Sequence, residues 1–235
     1  MGCKFCASTI DGVECNLTAG EMLAQIYRIQ HDCGERISGV VLMGSGEPLD
    51  NYESTLRFLH LINDANGQNM GQRHITLSTC GLVDKMDLLA QEDLQITLAV
   101  SLHAPNDEIR RQTMPVAKAF PMEKLLGDCR RYIAATNRRI TFEYALIHGV
   151  NDSDACAMEL GEKLRGMLCH VNLIPVNAVK ERDFTKSTAQ QTKRFSEILQ
   201  KNGVETTIRR KLGSDIDAAC GQLRRSHLKN REESF

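Results

Sequence analysis

Gly39-Val40-Val41-Leu42-Met43-Gly44-Ser45-Gly46-Glu47-Pro48 is the stretch whose reading decides the fold. A short β-branched, apolar run stops at glycines and a proline, which is how a buried strand ends. Residues 52–63 then place apolar side chains at helical spacing. The same unit recurs. Apolar runs at 39–43, 74–79, 95–102, 140–147, 171–176 and 204–209 read as strands. Segments at 19–31, 52–63, 83–91, 122–135, 154–168 and 188–202 carry helical periodicity. Strands that alternate with helices imply βαβ units and a parallel sheet, so the fold class is α/β. Several strands read as apolar on both faces, as a sheet covered by helices requires.

Helix starts agree with this division. Thr18-Ala19-Gly20-Glu21 is a capping box, and Asn151-Asp152-Ser153-Asp154 offers caps to the following helix. No linker, repeat or low-complexity tract interrupts residues 1–235, which read as one domain. Leu228 and the residues after it are charged and read as a frayed end.

Composition narrows the class. Hydrophobic residues make up 42% and charged residues 25%, as in ordinary globular chains. No apolar run approaches the roughly 20 residues of a membrane span, and no secretion signal is visible. The nine cysteines are odd in number and mostly scattered, which disfavours a disulfide scaffold and fits a reducing, cytoplasmic setting. Apart from Cys3 and Cys6, most of them read as small buried hydrophobes. The net charge of −1 gives no global basic field. Basic residues cluster locally at Arg209, Arg210, Lys211, Arg224 and Arg225, and in the pairs Arg110-Arg111, Arg130-Arg131 and Arg138-Arg139. Such clusters suit phosphates; any single pair reads more simply as solvated surface.

In parallel α/β folds, ligands gather at the carboxyl ends of the strands. Here those ends carry Met43 to Pro48, then Ser78-Thr79-Cys80-Gly81, Ser101-Leu102-His103 and Pro175-Val176-Asn177. Small and polar residues on one rim are the pattern of a site. At Gly46-Glu47-Pro48, glycine lets backbone approach a ligand and a carboxylate beside it suits an ammonium. Cys3-Lys4-Phe5-Cys6 is a Cys-x2-Cys pair, compatible with a redox couple, half a zinc site or half an iron–sulfur site. No second pair at zinc-finger spacing accompanies it. Taken singly, Glu47 reads as a turn carboxylate, His103 as a structural histidine and Cys220 as a packing residue.

Their order says more. Gly2-Cys3-Lys4-Phe5-Cys6-Ala7-Ser8-Thr9, Met43 to Leu49, Ser101-Leu102-His103-Ala104, Ile174-Pro175-Val176-Asn177 and Gly213 to Leu223 (with Asp215-Ile216-Asp217-Ala218-Ala219-Cys220-Gly221-Gln222) follow one another. The chain closely resembles, along its whole length, the dual-specificity radical SAM RNA methyltransferases. These methylate carbon 2 of an adenine in 23S ribosomal RNA and, in some bacteria, an adenine in tRNA.

The resemblance implies a partial (β/α)6 TIM-type barrel, here the radical SAM core domain. Cys3 and Cys6 are then two of the three ligands of a 4Fe-4S cluster. Gly46 and Glu47 hold the amino end of S-adenosylmethionine, and Ser78, Ser101, Leu102, His103 and Asn177 line the rest of it. Cys220 is the catalytic cysteine that is itself methylated, and a donor protein such as flavodoxin supplies electrons. In the implied route a first S-adenosylmethionine methylates the Cys220 thiolate, whose formation Arg209, Arg210 and Lys211 would favour if near in space. A second, on the open iron, is cleaved reductively. The resulting radical takes hydrogen from methylated Cys220, the carbon radical adds to the base, and another cysteine resolves the adduct.

This chain departs from the pattern in two places. The first cluster cysteine would fall before Met1, together with the region that by resemblance carries the resolving cysteine, a carboxylate base and an RNA-binding accessory domain. The chain alone is therefore expected not to turn over. Ser45 also stands where a second methionine is expected, a mild change. A carbon-8 adenine methyltransferase conferring antibiotic resistance shares nearly all these motifs. A non-catalytic SAM- or RNA-binding fragment and a zinc-binding structural protein are the readings from other classes.

Overall fold

The computed structural model describes residues 1–10, 12–176 and 184–209. Asn177, Cys220, Arg210, Lys211, Arg224, Arg225 and the segment from Leu228 onward lie outside the described residues.

Strand and helix alternate as the periodicity requires. α1 (Ala19–Cys33) leads to β1 (Val40–Leu42), α2 (Tyr52–Asn63), β2 (Ile75–Thr79), α3 (Val83–Leu89) and β3 (Thr97–Ser101). α4 (Asp107–Thr113) and α5 (Met122–Thr136) follow, then β4 (Ile140–Leu146), α6 (Asp154–Leu164), β5 (Cys169–Pro175), α7 (Ala189–Lys201) and β6 (Glu205–Ile208). The caps act as their residue types dictate. Thr18 and Glu21 bond reciprocally at the start of α1, and Ser153 and Thr188 accept from Cys156 N–H and Gln191 N–H to open α6 and α7. α4 is an addition to the sequence reading. It is opened by Asn106, whose side chain accepts from Ile109 N–H at 3.0 Å, with Asp107 and Glu108 in its first turn.

The six strands form one parallel sheet in the order β1-β2-β3-β4-β5-β6. Every crossover therefore steps one strand in the same direction. Because βαβ crossovers are right-handed, all the helices land on one face. A sheet wound this way curls around its bare face, and stopping at six strands leaves an open, partial TIM-type barrel.

The two faces differ in chemistry. Toward the helices point Leu77, Leu98, Val100, Phe142, Tyr144, Val171 and Leu173, packed with Phe58, Leu125, Leu160 and Phe195 in one core. Burying each such side chain contributes about 1.5–3 kcal/mol. On the concave face, the registers Thr76↔Thr97, Ala99↔Thr141 and Glu143↔Asn172↔Thr207 align small and polar side chains. The expectation of strands apolar on both faces is corrected here: helices cover one face only, and the other lines a polar lumen. Among the described residues no helix is long and apolar enough to cross a membrane.

Candidate active site at the carboxyl rim of the barrel

The cysteine pair sits on a tight loop held from within and without. Cys6 N–H donates to Cys3 O at 3.1 Å, and the Thr9 hydroxyl donates to Cys3 O at 2.9 Å and Cys6 O at 3.0 Å. Three outside contacts dock the loop on the rim. Lys4 N–H donates to Thr113 O, at the end of α4, at 2.8 Å. The Ser8 hydroxyl donates to Gly44 O, after β1, at 2.8 Å. The Phe5 ring stands edge-on to His103, after β3, at 4.7 Å between centroids. Cys3 and Cys6 are free and partly exposed. Burial first, then the neighbouring Cys6, raises the Cys3 thiol to about 11, so a metal must displace its proton to bind.

Glu47 faces this loop across the rim. Gly46 before it has φ +82, a conformation that needs glycine for its backbone rather than for space, since a Cβ there would meet nothing within 4 Å. The Glu47 carboxylate spans two elements: Oε1 accepts Leu49 N–H at 3.0 Å, opening the 3-10 turn Pro48–Asn51, and Oε2 accepts Cys80 N–H at 2.7 Å, at the end of β2. The Cys80 thiol is buried and held up by burial and by Glu47, so it stays neutral; its Sγ lies 3.5 Å from Met1 Sδ.

His103 has φ +55, a left-handed backbone that costs a non-glycine residue about 1–3 kcal/mol. The strain is held by tertiary bonds. Leu102 N–H and His103 N–H donate to Glu143 O at 3.0 and 3.3 Å, and Asn151 Nδ2 donates to His103 O at 2.8 Å. Ala145 N–H donates to His103 Nδ1 at 2.8 Å, which puts the ring proton on Nε2. Burial, then Arg110, pushes His103 down to about 3, so it is a neutral donor.

The structure thus gathers Cys3, Cys6, Gly46, Glu47, Ser78, Ser101, Leu102 and His103 on the carboxyl rim. Leu102 differs from the rest: its side chain belongs to the apolar core, and what it brings to the rim is backbone. Asn177 and Cys220 lie outside the described residues.

Two groups went unrecognised in the sequence. Glu143 lies on the concave face of β4, two residues after Thr141, where its Oε2 accepts Asn172 Nδ2–H at 2.9 Å and burial raises its carboxyl. A charge inside a mostly apolar strand is a signal of function. Arg110, half of a basic pair, is fully buried. The other basic pairs meet partners at the surface: Arg131 pairs with Asp87 at 3.1 Å and Arg139 with Glu205 at 2.8 Å.

Soft thiols three positions apart on a braced turn are the ligand type that an iron–sulfur cluster takes, and the described residues supply two of them. Among the described residues no group of three or more His, Cys, Asp or Glu is placed to hold a metal ion.

Residues 1–160 match the Radical SAM superfamily. The probable dual-specificity RNA methyltransferase RlmN of Alkaliphilus oremlandii is 62% identical over 230 residues, covering 98% of this chain and 67% of that protein. The chain belongs to the radical SAM superfamily, in its RlmN branch. The protein of the same description from Clostridium tetani is 60% identical over 98% of this chain and 66% of its own length. This chain therefore spans about two thirds of these relatives. A radical SAM methyltransferase from Sphaerobacter thermophilus superposes with a TM-score of 0.90 at 49% identity, over 94% of this chain and 66% of that one. Streptococcus suis SuiB shares the fold alone, with a TM-score of 0.63 at 13% identity over 88% of this chain and 46% of its own.

Proposed function

We propose that this chain is the catalytic barrel of a cytoplasmic RNA methyltransferase acting on carbon 2 of an adenine in 23S ribosomal RNA, and on tRNA. The observation that carries the reading is 62% identity over 98% of the chain to a relative described as a probable dual-specificity RNA methyltransferase. The chemistry of the rim supports it.

Carbon 2 of adenine lies between two ring nitrogens and is electron-poor, so it does not attack a sulfonium. Radical chemistry circumvents this. A 4Fe-4S cluster held by Cys3 and Cys6 supplies, when bound, the single electron that breaks a carbon–sulfur bond of S-adenosylmethionine, with a flavodoxin-type protein as donor.

The chain's own residues bind and orient. Each Glu47 oxygen accepts one backbone amide, which leaves lone pairs for the ammonium of S-adenosylmethionine. Gly46 lets backbone approach the same group. Neutral His103 presents Nε2–H without a competing charge, and the Ser78 and Ser101 hydroxyls add donors and acceptors. Asn177 completes the S-adenosylmethionine contacts. The Cys220 thiolate accepts the first methyl group by displacement and carries it to the base.

Mass spectrometry of RNA nucleosides tests this on the chain extended by the part of an RlmN relative that it does not span, after anaerobic incubation with S-adenosylmethionine and a reductant. The reading predicts 2-methyladenosine. 8-Methyladenosine would move the chain to the carbon-8 relatives, and no methylated adenosine would contradict the assignment.

A further inference from the structure

We propose that Asn151 is a positioning residue: its side-chain amide fixes both the backbone and the ring of His103, so that the ring offers Nε2–H to the ligand. This rests on the reading of His103 as a contact of S-adenosylmethionine.

Asn151 has no exposed surface, and both of its amide N–H groups are used. Nδ2 donates to His103 O at 2.8 Å and to Ala145 O at 2.7 Å, while Oδ1 accepts Ile147 N–H at 2.7 Å. Two carbonyls on one side and an N–H on the other allow the amide one orientation. The Asn151 carbonyl accepts the Tyr144 hydroxyl at 2.8 Å. Buried and engaged in this way, Asn151 acts through what it holds.

The bonds close a ring. Asn151 joins His103 O to Ala145 O, and Ala145 N–H returns to His103 Nδ1 at 2.8 Å. The carbonyl and the imidazole of one residue are thus tied to the two backbone groups of another. A left-handed backbone at φ +55 persists in a histidine only where its surroundings over-determine it. Leu102 N–H and His103 N–H, both on Glu143 O, hold the residue from one side, and Asn151 holds it from the carbonyl side. Without Asn151 the peptide after His103 is free to turn, and Nδ1 leaves Ala145 N–H. The ring proton then exchanges between the two nitrogens, and Nε2 is no longer a fixed donor. Among the described residues Nε2 has no hydrogen-bond partner, so its N–H is the group left for a ligand.

The residue type matters. Aspartate would keep the bond to Ile147 N–H but set an oxygen against two carbonyl oxygens, and serine brings one donor on a shorter stem. The turn that carries Asn151 has support of its own: Asp152 Oδ1 accepts Gly149 N–H at 3.0 Å, and Oδ2 accepts the Ser187 hydroxyl at 2.7 Å.

The test is a double-mutant cycle between Asn151→Asp and His103→Asn. It is read as S-adenosylhomocysteine affinity by calorimetry, on the chain extended by the part of an RlmN relative that it does not span. Asparagine suits a left-handed backbone but lacks the ring. Asn151→Asp should weaken binding about tenfold in the parent, the effect of one lost hydrogen bond, and by less than about twofold in the His103→Asn background. Nuclear magnetic resonance of the histidine ring nitrogens, with the His103 signals assigned by their loss in His103→Asn, should show a pure Nε2–H ring in the parent and mixed tautomers in Asn151→Asp. An equal loss of affinity in both backgrounds marks a merely structural residue and overturns the proposal. Parent-like affinity or a pure Nε2–H ring in Asn151→Asp overturns it too. If Asn151→Asp gives no folded protein, Asn151→Ser takes its place in the cycle with the same expectations. Parent-like affinity in His103→Asn, or a parent that binds no analogue, defeats the reading of His103 and this proposal together. A weakened His103→Asn beside an unmoved Asn151→Asp defeats this proposal alone.

Discussion

Glu47 and Cys80 share a 2.7 Å hydrogen bond that ties the turn after β1 to the carboxyl end of β2. The carboxylate is thereby aimed by two strands at once. Its other oxygen is fixed on Leu49 N–H, so its orientation does not depend on a ligand. A preset anion loses little entropy on binding, which is where affinity is gained.

Glu47→Gln tests that arrangement. An amide oxygen replaces only one of the two acceptors, and its NH2 faces a backbone donor. We expect a stability loss of about 1–3 kcal/mol by thermal denaturation and S-adenosylhomocysteine affinity reduced more than about tenfold by calorimetry. Unchanged affinity would remove Glu47 from the binding site.

His103 gives the fold an acid limit. Its folded-state value of about 3 lies below its ordinary value of 6.5, so between these pH values the unfolded chain binds more protons. Stability conferred by neutral His103 is complete above about pH 6.5 and falls as pH drops toward 3, by at most about 1.4 kcal/mol per pH unit. His103→Gln, whose amide oxygen can accept from Ala145 N–H, should flatten this limb in denaturant titrations between pH 4 and 7. An equally steep limb in the variant would assign the acid sensitivity to other groups.

Gly81→Ala should destabilise by about 1–3 kcal/mol, from φ +94 and a Cβ 2.8 Å from Leu125 Cδ1. Leu125→Ala in the same background should recover little, because the backbone term remains. Full recovery, measured by urea denaturation, would show that overlap alone is at work.

Most of the barrel was legible because its helices, α3 and α4 apart, run to three turns or more, α3 carries four apolar side chains in seven residues, and its strands are mostly apolar runs. Tyr52–Asn63 has the limits that periodicity sets. α4 was not legible: at seven residues, with Ile109 as its one large apolar side chain, it shows too little period, though Asn106-Asp107-Glu108 is a start signal. Arg110 was misread with it, because a basic pair resembles solvated surface and only tertiary packing reveals burial. The strand faces were misjudged at Thr76, Ser78, Thr141 and Glu143, where polar residues alternate with apolar ones and mark a lumen. His103 and Glu47 stood out as residues after strands. That one is a neutral donor and the other a doubly held acceptor depends on Ala145 N–H and Cys80 N–H, which sequence does not bring into view.

Phe5 should prove to be the anchor of the cysteine loop. It packs with Ala145, Ile147 and Val176 besides meeting His103. Phe5→Ala should cost about 1–2 kcal/mol, given its partial burial, and lower iron retained after desalting while circular dichroism stays parent-like. Parent-like iron retention would show that Lys4 and Ser8 suffice to hold the loop.

The most direct test is electron paramagnetic resonance of the chain extended by the part of an RlmN relative that it does not span, anaerobically reconstituted and reduced, with and without S-adenosylmethionine. The account predicts the signal of a reduced 4Fe-4S cluster that shifts when S-adenosylmethionine is added. No cluster signal, or one indifferent to S-adenosylmethionine, would contradict the assignment of Cys3, Cys6 and Glu47 to a radical SAM centre.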